Sequence, residues 1–300
     1  MTVGELTEVL GQSQPRVSRH LKLMCEAGLL DRFKEGTWVF YRVAEVSRSP
    51  VHQIVSMIPR DDPVIARDQE RIEAIKTSRN ERAATYFRTN AQAWGRIRSL
   101  HIDEREVEHA LMAALPKGKV RNLLDIGTGT GRLLELFGPM IERGVGIDLS
   151  HDMLAYARAN LDDGGLMNCQ VRHGDMYRLA LDGESFDAVT VHQVLHYADE
   201  PAGVILEAAR VLRPLGRLVI VDFAPHELEQ LRTEHAHRRL GFADDEVSAW
   251  CHDAGLEIDT VQTLEGDPLT VKVWIADKSE RLRERGATRK ADLDHREVAT

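Results

Sequence analysis

The apolar run Leu123-Leu124-Asp125-Ile126 passes without a break into Gly127-Thr128-Gly129-Thr130-Gly131, and an apolar helical pattern follows. A strand that ends in a glycine-rich turn and opens a helix lets the backbone approach a ligand where a Cβ would clash. Asp148 stands at the end of the next strand. Nucleotide-binding sheets place an acid there, on ribose hydroxyls. Strand and helix patterns alternate from Val120 onward, with strands at about 122–127, 144–148, 169–173, 186–192, 216–222, 257–264 and 270–276. Helices fall between them at about 130–141, 151–160, 203–212 and 244–254. The alternation predicts an α/β domain with a mostly parallel seven-stranded sheet and helices on both faces. Only Glu265-Gly266-Asp267-Pro268 separates the last two strands, so that pair is expected to be an antiparallel hairpin.

A different texture precedes this domain. Leu6, Val9 and Leu10 recur at helical spacing and Gly11 ends the pattern. Ser13 is placed to cap the next helix and Pro15 to occupy its first turn. Val17, Leu21 and Met24 make the apolar stripe of that helix, and Gly28 ends it. Leu29–Phe33 and Thr37–Val43 flank Lys34-Glu35-Gly36, which reads as a basic-tipped hairpin. Helix, turn, helix and hairpin over residues 1–58 predict a winged helix-turn-helix, with a short apolar helix at 51–58. Residues 59–82 read as a charged helical connector. Residues 83–115 carry Tyr86, Phe87, Trp94, Ile97, Leu100, Val107, Leu111 and Leu115, enough apolar surface for helices that cap the α/β domain over 83–277. The tail 278–300 is charged and expected to be loosely ordered.

The net charge of −9 hides a gradient. Residues 1–58 hold seven Lys/Arg against six Asp/Glu, whereas residues 121–277 hold thirteen against twenty-seven. Nucleic-acid contact therefore belongs to the N-terminal end, and the acidic remainder suits a small molecule. No apolar run reaches the ~18 residues of a membrane span. Cys25, Cys169 and Cys251 are scattered, so neither a disulfide framework nor a metal site is expected, and a reducing cytoplasm fits.

The Asp-x-Gly-x-Gly-x-Gly spacing of Asp125, Gly127, Gly129 and Gly131 resembles the first motif of class I S-adenosylmethionine-dependent methyltransferases. Gly146-Ile147-Asp148-Leu149-Ser150-His151-Asp152-Met153-Leu154, Gly174-Asp175-Met176 and Phe186-Asp187-Ala188-Val189 continue the resemblance in order. It is closest to the menaquinone and ubiquinone methyltransferases. The resemblance implies a Rossmann-like fold and S-adenosylmethionine as cofactor. Asp125 and the glycines would hold its amino-acid part, Asp148 its ribose and Asp175 the adenine amino group. Met153 and Met176 would flank the ring. The turn alone also fits a domain that binds another nucleotide.

Methyl transfer from a sulfonium needs in-line positioning, and a base only where the acceptor must lose a proton. Candidates lie at the carboxyl ends of strands: His192, also a candidate cofactor contact, then His196 and Asp222. Acceptor specificity is expected in 225–242, which holds His226, His235 and His237, and in the cap helices 83–115.

Ser13 to Met24, with Glu35 to Arg42 downstream, resembles the recognition helix and wing of ArsR-type regulators. The resemblance implies operator DNA as partner, through Gln14, Arg16, Ser18, Arg19 and Lys22 on the helix and Arg32, Lys34 and Arg42 on the wing. It also implies a homodimer. The cysteines such regulators use for metal are absent around Glu5 to Leu10, so metal sensing there is not expected. The resemblance further implies one or two helices upstream of residue 1, and DNA binding is expected to be stronger when they are present. Three readings follow: a DNA-binding methyltransferase, a metabolic methyltransferase with a vestigial winged helix, and a non-catalytic regulator that senses S-adenosylmethionine or S-adenosylhomocysteine.

Overall fold

The computed structural model describes residues 1–35, 38–44, 51, 53–55, 57, 62–91, 104–115 and 120–279. The chain forms two compact units, Met1–Thr85 with Glu227–Ala236, and Tyr86–His226 with His237–Thr300.

In the first unit α1 (Val3–Leu10) begins on a capping box. Thr2 Oγ1 accepts from the Glu5 N–H and Glu5 accepts from the Thr2 N–H. Gly11 at φ 58° ends the helix. Pro15 stands in the first turn of α2 (Gln14–Glu26) as expected, but the Ser13 side chain makes no capping bond, contrary to expectation. Val17 and Leu21 are buried beneath α2. β1 (Leu30–Glu35) and β2 (Trp38–Val43) form the expected antiparallel hairpin. Of the expected turn Lys34-Glu35-Gly36, Lys34 and Glu35 belong to β1, which pairs on to Glu35 opposite Trp38, while Gly36 and the expected strand residue Thr37 lie outside the described residues, as do several of the 51–58 helix. α3 (Pro63–Asn90) runs unbroken through position 82, and within this unit Arg71 donates to the Val9 carbonyl at 2.8 Å.

The second unit begins with the end of α3. Trp94, Ile97 and Leu100 fall outside the described residues, and α4 (Glu104–Ala114) buries Val107 and Leu111. A seven-stranded sheet follows in the order β5-β4-β3-β6-β7-β9-β8, with β3 (Asn122–Ile126), β4 (Arg143–Asp148), β5 (Cys169–His173), β6 (Phe186–His192), β7 (Leu212–Phe223), β8 (Leu256–Leu264) and β9 (Val271–Lys278). All pairings are parallel except those of β9, which is antiparallel to both β7 and β8. The helices are α5 (Arg132–Phe137), α6 (His151–Asp163), α7 (Pro201–Val211) and α9 (Asp244–Asp253). The short α8 (Gln230–Glu234) belongs to the first unit.

Two expectations need correction. The helix expected at 130–141 is α5 alone, because Gly138-Pro139 turns the chain into a 3₁₀ segment. The strand expected at 216–222 starts at Leu212, directly after α7, because Leu212 already pairs with Phe186. Val145, Val189, Ile220 and Trp274 are among the buried side chains that make the core. Strand order reverses between β3 and β6, which opens a ligand crevice beyond their carboxyl ends.

Candidate active site

The glycine turn leaves β3 at that reversal. Gly127 sits at φ 71°, and a Cβ there would lie 2.3 Å from the Val194 side chain on the neighbouring loop. Only glycine lets the two loops close on each other. Gly129 at φ 53° and Gly131 at φ 84° keep the turn tight, and Gly131 caps α5. Asp125 is buried on β3, and the Thr190 hydroxyl donates to it at 2.7 Å from the facing position of β6.

Asp148 ends β4. One carboxylate oxygen accepts the Gly129 N–H and the other the Ser150 N–H, each at 2.8 Å. Burial raises its pKa, while the Ser150, Gly129 and Leu149 N–H groups and nearby His173 pull it back. A carboxylate offers about four acceptor directions, so lone pairs remain for a further donor. The Thr128 hydroxyl, which faces Gly146 on β4, is buried and has no hydrogen-bond partner. These features fit a cofactor that brings hydroxyl donors and lies close against backbone: a cradle closed to any Cβ, a buried acid with spare acceptor sites, and an orphan hydroxyl. Thr128 escaped the sequence reading because it stands at a position where the motif specifies no residue.

The other proposed cofactor residues are placed less uniformly. Asp175 is exposed and accepts the Tyr177 N–H at 2.9 Å. Met176 is half-buried against the core, whereas Met153 is fully buried. His192 ends β6, half-buried.

β6 and β7 are adjacent, and this brings His196 and Asp222 together. His196 Nδ1 lies 2.8 Å from Asp222 Oδ1, and the Asp222 carboxylate also accepts the N–H groups of His196 and Phe223. Asp222 is 0% exposed and His196 2%. A carboxylate on Nδ1 fixes the proton there and leaves Nε2 as the acceptor. The His237 ring stacks on His196 at 4.0 Å, and Tyr197, Phe223 and His226 complete a ring cluster that Phe87 reaches at 4.9 Å from Tyr197. Burial holds the Tyr197 hydroxyl well above its usual range and pushes that of Tyr86 up to about 12. The Arg238 and Arg239 N–H groups donate to the His196 carbonyl, which ties the returning chain to the loop after β6. Sequence reasoning named His237 only within a polar segment, because nothing in its spacing ties it to β6.

In the first unit Gln14, Arg16, Arg19 and Lys22 are exposed on α2 and Ser18 is half-buried. Lys22 pairs loosely with Glu26 at 3.7 Å. Arg32 is exposed on β1, while the side chains of Lys34 and Arg42 lie outside the described residues.

Residues 124–220 match a family profile described as a methyltransferase domain, and residues 1–32 one described as bacterial regulatory protein, arsR family. The ubiquinone biosynthesis O-methyltransferase of Pseudomonas paraeruginosa is 30% identical over 50% of this chain and 70% of its own length. The YcgJ protein of Bacillus subtilis superimposes with a TM-score of 0.51 at 18% identity, over 59% of this chain and 99% of that one. A geranyl diphosphate methyltransferase crystallised with sinefungin superimposes with a TM-score of 0.52 at 19% identity, over 58% of this chain and 77% of that one. The chain spans about half the length of the first curated relatives it matches, between 42% and 49%.

Proposed function

The chain belongs to the class I S-adenosylmethionine-dependent methyltransferases and carries an ArsR-type helix-turn-helix, and on that premise we propose that it methylates a hydroxyl-bearing small molecule and binds operator DNA. The observation that carries the catalytic half is the buried Asp222–His196 pair at 2.8 Å, on the strand edge beside the glycine turn. S-adenosylmethionine, when bound, supplies an electrophilic methyl group on a sulfonium. Asp125, Gly127, Gly129, Gly131 and Thr128 would hold its amino-acid end, Asp148 its ribose, and Asp175 and Met176 its adenine. Met153 would support that side from within the core. His192 would stand between the cofactor and the acceptor.

In this reading His196 Nε2 takes the proton from the acceptor hydroxyl as the oxygen attacks. Asp222 holds the ring in the correct tautomer and stabilises the imidazolium. The surrounding rings exclude water and suit a flat, apolar acceptor. A panel of phenolic acceptors, assayed by release of S-adenosylhomocysteine, tests the base. His196→Gln and Asp222→Asn should each lower kcat by on the order of 10²–10⁴ with cofactor affinity unchanged. Full turnover by both variants would remove the base.

One observation favours a second reading: His196 is almost wholly covered. A covered base suits a domain that binds the cofactor and regulates DNA without turnover. No product from the wild type under saturating cofactor, with operator binding that follows the cofactor form, would establish that sensor instead.

The DNA half rests on the exposed Gln14, Arg16, Arg19 and Lys22, the half-buried Ser18 and the wing residues Arg32, Lys34 and Arg42, in a chain whose other unit is acidic. A homodimer would present two such helices about 34 Å apart.

A further inference from the structure

Within the second unit a run of hydrogen bonds leads from Asp175 to the loop that carries His196. The Asp175 carboxylate accepts the Tyr177 N–H at 2.9 Å, and its carbonyl accepts the Arg178 N–H at 3.1 Å, so the turn after β5 sets where the Tyr177 ring goes. Asp175 is exposed, and a carboxylate offers about four acceptor directions, so it can take a ligand amino group as well as the Tyr177 N–H. The Tyr177 ring packs against the core, and its hydroxyl accepts the Asp199 and Glu200 N–H groups at 2.6 and 3.2 Å. Glu200 is the N-cap of α7, so a side chain from the turn after β5 fixes the entry into that helix.

The Asp199 side chain continues the run. Its carboxylate pairs with the Arg238 guanidinium, and both side chains are largely covered. The Arg238 N–H donates to the His196 carbonyl at 2.8 Å, and the Arg239 N–H to the same oxygen at 3.1 Å. Arg239 is itself held. Its Nη2 lies 3.1 and 2.9 Å from the two Glu246 oxygens on α9, and its guanidinium lies over the Phe242 ring at 4.9 Å. His196 therefore has its ring fixed by Asp222 and its carbonyl fixed by the Arg238 segment. A covered ion pair resists the loss of either member, because the other is left without its partner. Contiguous bonds of this kind are what carry coupling between two ends of a site.

We infer that Tyr177, Asp199 and Arg238 are positioning residues for His196: adenine seated on Asp175 orders this run of bonds and holds the base where an acceptor hydroxyl can reach it. The inference rests on reading Asp175 as the adenine contact and His196 as the base. Hydrogen–deuterium exchange on the full chain, with S-adenosylhomocysteine as the probe, tests it without knowledge of the acceptor. In the parent the probe should slow exchange at residues 196–198 by about fivefold or more, the lower end of typical coupling. Tyr177→Phe keeps the ring and removes the accepting oxygen. It should lose that slowing, while the probe still protects residues 127–131 and binds with unchanged affinity by calorimetry. Arg238→Gln should do the same, and Arg238→Lys, which keeps the charge, should recover part of the slowing. The Tyr177 variant keeps the test open if Arg238→Gln does not fold. Equal slowing at 196–198 in parent and Tyr177→Phe would overturn the inference. So would a loss that extends to 127–131, which would make Tyr177 part of the cofactor site. A parent that does not bind the probe would overturn it together with the cofactor reading beneath it. Phenol turnover by the same proteins separates the two failures: slowing lost in the variants, with no turnover by the parent, would support the positioning run and remove only the role of His196 as base.

Discussion

Asp148 carries a pH signature that follows from its surroundings. Burial raises its pKa, and a ribose that donates hydroxyl hydrogens favours the ionised form. Cofactor affinity should therefore be full above the raised pKa and fall as pH drops through it, starting above the usual carboxylate range. Asp148→Ala should weaken binding by about 1–3 kcal/mol and abolish this dependence, and titration calorimetry across acid pH measures both. Equal affinity for variant and parent would take Asp148 out of the site. Gly127→Ala is the steric counterpart. It forces a Cβ to within 2.3 Å of Val194 at φ 71°, and should cost about 1–3 kcal/mol in thermal unfolding. Both residues were legible in the sequence, because the spacing of acid and glycines carries the local backbone geometry with it. The Asp222–His196 pair was legible only as two separate candidates. Their 2.8 Å approach depends on β6 and β7 lying side by side, which no local pattern encodes.

At the scale of elements, the junction of α7, β7 and β9 is closed by a single ammonium. Lys278, near the end of the alternating pattern, donates to the Ala209 and Leu212 carbonyls at 2.8 and 2.7 Å, where a cation also meets the negative end of α7. Lys278→Met should destabilise the fold by about 1–3 kcal/mol and leave cofactor affinity unchanged; a calorimetric scan and a binding titration separate the two. Lys278 lies at the point where the sequence reading starts a charged tail, so its role as a structural cap went unseen. The alternation from Val120 gave strand number and pairing sense correctly, since apolar runs, turn residues and the short Glu265–Pro268 link are local signals. Where α7 would end was not local. Leu212 leaves the helix to pair with Phe186, and that partner is set by tertiary contact. Exchanging 225–242 for a relative's segment should alter acceptor turnover, measured as kcat/KM, while calorimetric cofactor affinity holds. A collapse of cofactor affinity would place the segment in the cofactor site instead.

Across the whole molecule, charge separates by unit. The N-terminal residues carry the exposed basic face on α2 and β1, and the α/β unit is acidic. Binding to the native upstream region should weaken steeply with salt, because each neutralised phosphate releases counterion. Arg32→Ala should lower affinity for all sequences alike, and Gln14→Ala should relax preference at particular bases; gel shifts across a salt range and a randomised site distinguish them. The two textures of the chain were plain in the sequence. That Glu227–Ala236 belongs with the first unit was not, since those ten residues look like any polar loop between strand and helix.

That ten-residue return has a consequence for how such a chain can be divided. A helix-turn-helix placed ahead of an enzyme is usually thought of as a detachable module, joined by a tether that can be cut. Here a cut after residue 85 would leave the catalytic fragment carrying Leu231 and Arg232, both buried in the intact protein, without the surface that covers them. The complementary N-terminal fragment would lose the guanidinium from above Phe40. Each fragment would therefore lose contacts that the intact chain keeps, and both should unfold at lower temperature than the intact protein.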